Sequence, residues 1–200
     1  MATIIAVDAM GSDKAPRPEV EGAILAARQH GLEVALVGRE AQLRDELALH
    51  AIDGLPIHVV AASEVIGMHE KPVEAVRAKR DSSMRVGLRM VREGKASGFV
   101  SAGNTGAAMT SAILTLRTLP GVDRPGLGVV FPTAAGKPCL MLDVGANVDC
   151  KPIHLEQFAV MGEIYYRTIY NVARPRVGLL SVGEEESKGN ELTREAYQLI

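Results

Sequence analysis

The chain has 200 residues, 47% of them hydrophobic and 23% charged, with a formal net charge of −2. That length and balance describe one ordinary globular domain, or a large one cut short, and exclude a disordered or fibrous chain. With no basic surplus, no nucleic-acid partner is expected.

Residues 3–7, Thr3-Ile4-Ile5-Ala6-Val7, form an apolar run that meets Asp8 with no basic segment before it. The run reads as a first strand and not as a signal peptide, which points to the cytoplasm. In the next turn, Asp8-Ala9-Met10-Gly11-Ser12-Asp13, Gly11 can bring main chain close to an anion while Asp8 and Asp13 orient donors or a nearby cation. Equally, Ser12 and Asp13 can bond local amides of an ordinary strand-to-helix turn.

The periodicity then predicts a helix over 18–29, a strand over 33–37, a helix over 41–50 and a strand over 57–61. Helices over 72–78 and 84–93 flank a basic cluster, Lys71, Arg77, Lys79 and Arg80, beside the pair Ser82 and Ser83. Such cations suit a phosphate or the acidic surface of a carrier protein, and the serines can cap the second helix; a solvated basic helix face is the plain alternative.

A strand over 98–101 leads into Ser101-Ala102-Gly103-Asn104-Thr105-Gly106 and a helix over 105–116. Amides at a helix start point outward, the macrodipole adds partial positive charge, and glycines remove side chains that would block an anion. The pattern is neither the Walker loop nor the dinucleotide fingerprint. Asn104 can instead be a simple N-cap, with the glycines serving tight packing.

Strands over 128–131 and 139–142 precede Asp143-Val144-Gly145-Ala146-Asn147, where a carboxylate can orient a donor or accept a proton and Asn147 can donate to an oxyanion. Turn chemistry alone also selects Asp, Gly and Asn. After a helix over 155–170 and a strand over 177–181, the segment from Ser181 to Asn190 brings Glu184 and Lys188 to a strand end, either as part of a site or as a solvated charge run. A last helix over 192–199 ends in apolar residues without a Gly or Asn cap, so a C-terminally truncated chain is expected.

Strand and helix in alternation predict an α/β fold, a Rossmann-like, mainly parallel sheet with helices on both faces, as a single domain over 1–200. The longest apolar stretches, such as 113–116 and 177–180, fall far short of the roughly 20 residues a membrane span needs. Cys139 and Cys150 have no metal or redox spacing and read as reduced thiols, a catalytic thiolate being the alternative. Histidines at 30, 50, 58, 69 and 154 form no ligand spacing, so no metal is expected.

Taken in order, Ala6 to Gly11, Lys71-Pro72 with the stretch from Val76 to Met84, Ser101 to Met109, Leu142 to Asn147 and Gly183 to Asn190 resemble the phosphate acyltransferase (PlsX) family of bacteria, from end to end of the chain. The resemblance implies a fold like the isocitrate dehydrogenase and phosphotransacetylase group and a homodimer. It implies conversion of acyl-[acyl carrier protein] and inorganic phosphate to acyl phosphate and free carrier in phospholipid synthesis, without a cofactor. Peripheral association with the cell membrane is also a family property.

On this sequence it makes Gly11, Ser101, Gly103, Asn104, Thr105 and Gly106 the phosphate site, with Asn104, Asp143 and Asn147 catalytic. Asp8, Lys71, Arg77, Lys79, Arg80, Ser82, Ser83, Glu184 and Lys188 would bind substrate or carrier. The chain departs from the family at Ser12, where a second Gly is usual, at Ser181, where Asn is common, and in length. The alternatives are a phosphotransacetylase-like enzyme acting on acyl-coenzyme A, and a non-catalytic carrier-binding module.

Overall fold

The computed structural model describes residues 3–183 and 188–200. The chain forms two compact units, Met1–Arg117 and Thr118–Ile200. In the first, strands β1 (Ile4–Asp8), β2 (Glu33–Gly38), β3 (Ile57–Ala61) and β4 (Gly98–Ser101) form one sheet in the order β3-β2-β1-β4. Every pairing in it is parallel, with Ile4 opposite Glu33 and Asp8 opposite Ser101.

Parallel strands need helical crossovers that cover both sheet faces, and the apolar residues divide accordingly. Val34 and Leu36 of β2 pack with Val20, Ala23 and Ile24 of α1 (Arg17–His30) and with Leu43 and Leu47 of α2 (Glu40–Leu47). Val37, one residue out of phase, faces the other side with Ala6 and with Val86 of α4 (Ser83–Arg92). At the carboxyl end of the sheet a smaller cluster, Ile66, Ala75, Val76, Met84 and Ala107, joins α3 (Pro72–Ala78), α4 and α5 (Thr105–Leu116).

The second unit contains the antiparallel pair β5 (Val129–Phe131) and β6 (Cys139–Met141), then α6 (Pro152–Tyr170) and α7 (Glu191–Tyr197). The strand expected over 177–181 is not formed. Its β-branched composition is right, but a strand exists only through a ladder partner, and among the described residues this segment has none. Val177 and Leu180 are left exposed. Among the described residues no helix is long and apolar enough to cross a membrane.

Candidate active site

The parallel register ends β1 and β4 side by side, so Asp8 and Ser101 are direct neighbours. Asp8 is buried, and its Oδ2 accepts a 2.7 Å hydrogen bond from Ser101 Oγ while Oδ1 accepts from the Met10 amide at 3.2 Å. Ser101 Oγ accepts in turn from the Gly103 amide at 3.1 Å. The carboxylate therefore organises both strand-end loops from beneath.

Those loops touch main chain to main chain. A Cβ added at Gly11 would lie 2.9 Å from Gly103 N and 2.6 Å from Asp8 Oδ2; one at Gly103 would lie 3.0 Å from Gly11 Cα and 2.7 Å from Met84 Cε. Only glycine fits at either position. Gly106 has a similar reason, since a Cβ there would meet Pro72 Cγ at 2.7 Å, so the beginning of α5 lies against the beginning of α3.

Asn104 is the N-cap of α5, its Oδ1 accepting from the Ala107 amide at 3.0 Å. Its Nδ2 donates to the carbonyls of Met68 and Glu70, both at 3.1 Å, with Gly67 O at 3.4 Å. Two amide hydrogens are thus directed at main-chain acceptors, which makes Asn104 a clamp between α5 and the 67–70 loop rather than a donor facing outward. Thr105 and Gly106, the first residues of α5, are exposed, and amides at a helix start have no partner inside the helix.

The basic cluster divides. Lys71 is 80% exposed in its side chain and forms an i,i+3 ion pair with Glu74 at 3.3 Å, while Arg77 and Arg80 are exposed. Lys79 differs: its Nζ donates to Glu70 Oε1 at 2.5 Å and to Val65 O at 2.6 Å. Glu70 Oε1 also accepts from the Gly67 amide at 2.6 Å. The Lys79 ammonium, foremost, and the Gly67 amide hold the Glu70 carboxyl below the usual carboxylate range. Ser82 and Ser83 are both buried, and Ser82, though the N-cap of α4, makes no side-chain cap bond. The Ser82 hydroxyl is buried with no hydrogen-bond partner among the described residues.

In the second unit Asp143 and Asn147 bond each other and the 125–127 segment. Asp143 Oδ1 accepts from the Leu127 amide at 2.6 Å and Oδ2 from the Asn147 amide at 2.7 Å; Asn147 Nδ2 donates to Pro125 O at 2.9 Å. Burial, and then the Asp143 charge, pushes the Cys150 thiol up, away from thiolate character. Lys188 is exposed, and Glu184 lies outside the described residues. Among the described residues no cluster of His, Cys, Asp and Glu could hold a metal ion.

Reading the sequence missed Glu70 and the neighbouring brace in which Asp81 Oδ2 accepts from the Ser63 amide at 2.9 Å and the Ser63 hydroxyl at 2.6 Å. It also missed Glu19, buried in the first turn of α1, whose Oε1 accepts from the Ser12 amide at 3.2 Å. Acidic residues flanking a basic cluster look like surface charge, and no local spacing marks their long-range partners.

Residues 3–200 match the family described as fatty acid synthesis protein. The chain belongs to that family. It is 62% identical to a protein named phosphate acyltransferase from Koribacter versatilis, over 100% of this chain and 57% of that protein. It is 56% identical to a protein of the same name from Geobacter sulfurreducens, over 98% and 56% respectively. The chain thus spans little more than half the length of these relatives.

Among solved structures it is similar in fold to a phosphotransacetylase from Streptococcus pyogenes, with a TM-score of 0.72 at 20% identity, covering 99% of this chain and 64% of that one. A branched-chain phosphotransacylase from Enterococcus faecalis V583 matches with a TM-score of 0.51 at 13% identity, covering 82% and 51%. The family is thus established through sequence, and the α/β fold agrees with that of phosphotransacetylases.

Proposed function

We propose that the protein carrying this chain transfers an acyl group from acyl-[acyl carrier protein] to inorganic phosphate, releasing acyl phosphate and free carrier for phospholipid synthesis. The observation that carries this reading is the start of α5, where exposed Thr105 and Gly106 follow the close Gly11–Gly103 contact, in a chain whose relatives are named phosphate acyltransferase.

Phosphate held there is positioned for a phosphate oxygen to attack the thioester carbonyl carbon. The carbonyl oxygen becomes an oxyanion that main-chain amides stabilise; when it collapses, the C–S bond breaks and the carrier leaves as a thiolate that takes up a proton. No covalent enzyme intermediate is needed, and the raised Cys150 thiol is not an activated nucleophile. Asp8 and Asn104 position the site, and Asp143 with Asn147 do the same for their own turn. Lys71, Arg77 and Arg80 supply positive charge for phosphate or for the acidic carrier.

A homodimer in the cytoplasm, peripheral on the membrane, completes the proposal. Exposed apolar residues along α6, such as Val160, Ile164 and Ile169, are surface that a partner can cover.

Phosphate-dependent release of free carrier from acyl-carrier thioester by the full-length protein tests the reading; no turnover sinks it. Faster reaction with acyl-coenzyme A than with the carrier thioester would favour the phosphotransacetylase-like alternative, and carrier binding without reaction would favour the non-catalytic one. Changing Asn104 and Thr105 together to Ala should raise the phosphate concentration for half-maximal rate, and an unchanged value would move the anion site elsewhere.

A further inference from the structure

We infer that Glu70 is a positioning residue for the phosphate site, acting through the 67–70 loop that Asn104 grips. The inference rests on the reading of the α5 start as that site. Three carbonyls, those of Gly67, Met68 and Glu70, converge on the single Asn104 amide group, so the loop's conformation determines how the cap is held. The Glu70 side chain sets that conformation: it folds back onto the Gly67 amide at 2.6 Å and is anchored from α3's far end by Lys79 at 2.5 Å. Lys79 also donates to Val65 O, two residues ahead of the loop.

Two consequences reach the anion site. First, Lys71 follows Glu70 directly and Pro72 lies against Gly106, so the loop's placement decides where Lys71 stands relative to the start of α5. Second, Lys71 already carries the exposed partner Glu74, and a Glu70 carboxylate released from Lys79 would add a second negative charge beside it. Pairing with Lys79 keeps that second charge away, and the Asn104 amide engages the loop's carbonyls, which would otherwise repel an anion. The cation Lys79 thus serves the site by holding Glu70, without contacting phosphate.

The test compares Glu70→Ala with Glu70→Gln in the full-length protein; Gln keeps an acceptor for the Gly67 amide and loses the ion pair. In Glu70→Ala the phosphate concentration for half-maximal rate should rise about tenfold, with kcat and the thioester KM within about twofold, and Glu70→Gln should recover most of the loss. An unchanged phosphate dependence in Glu70→Ala overturns the inference. So does an equal fall in kcat with both KM values unchanged. Calorimetric titration with inorganic phosphate reads the loop without turnover. A weaker Kd in Glu70→Ala supports the role even where the wild-type protein releases no carrier, an outcome that would sink the acyl-transfer reading alone. An unchanged Kd, or no phosphate binding by the wild type, overturns it.

Discussion

The turns at 101–106 and 143–147 are alike on paper, each following a strand and combining Gly with Asn, yet they use these residues for opposite purposes. In the first, Gly103 is needed because main chain from another loop occupies the space a Cβ would fill. In the second, Gly145 has open space around its Cβ position and is needed for its backbone, at φ +77°. Asn104 caps α5, whose first residues Thr105 and Gly106 are exposed, whereas Asp143 and Asn147 bond each other and the 125–127 segment. Two turns of like composition thus differ in what surrounds the glycine, which composition does not record.

Substitutions should separate the two. Gly103→Val places a branched side chain against Gly11 and Met84 and should cost about 3 kcal/mol by denaturant titration, with phosphate dependence impaired. A variant as stable as the wild type would break the comparison. Asp8→Asn keeps one acceptor but loses the charge that holds Ser101 and Met10, and a loss of about 2 kcal/mol is expected by the same measurement. Gly145→Ala strains only the backbone and should cost about 1 kcal/mol, with Gly145→Asn cheaper; a loss as large as at Gly103 would show hidden crowding.

Acid should act on the loop around the first turn. The folded Glu70 and Asp81 carboxyls lie below their unfolded values, Glu70 chiefly through Lys79 and Asp81 chiefly through the Ser63 hydroxyl. Their stabilisation is therefore present above the unfolded carboxylate value and is lost as pH falls through the lowered one, below about pH 4. Because the Glu70 side chain is 38% exposed, solvent screening should keep its share under about 1 kcal/mol. Melting curves from neutral to acid pH should show a shallower decline in Glu70→Gln; an identical decline would remove Glu70 from the acid response. The smallest expected difference is kinetic. Cys139 is exposed and the Cys150 thiol is pushed up, so iodoacetamide should label Cys139 first, and the reverse order would mean that Cys150 is activated.

The fold was legible because most of its elements announce themselves by period. Leu36 and Val37 alternate between two helical layers, and the α5 boundary at Asn104 follows from a cap before a small-residue helix. Residues 177–181 were misread because composition signals strand propensity but not whether a partner strand is at hand. At the site, the glycines and Asn104 stood out locally. The interior use of Lys79 did not, because its partners Glu70 and Val65 are set by how the chain folds back, and a lysine among other cations looks like surface.

The contact between Gly11 and Gly103 also bears on mutational tolerance. Where a large side chain meets a small one, a substitution on one side can be answered by a reciprocal change on the other. Here both partners are already the smallest residue, so no second change can make room for a first. In a library randomised at both positions, functional survivors should return to the starting pair, and the way to vary this floor runs through Met84 or Asp8 rather than through the glycines themselves.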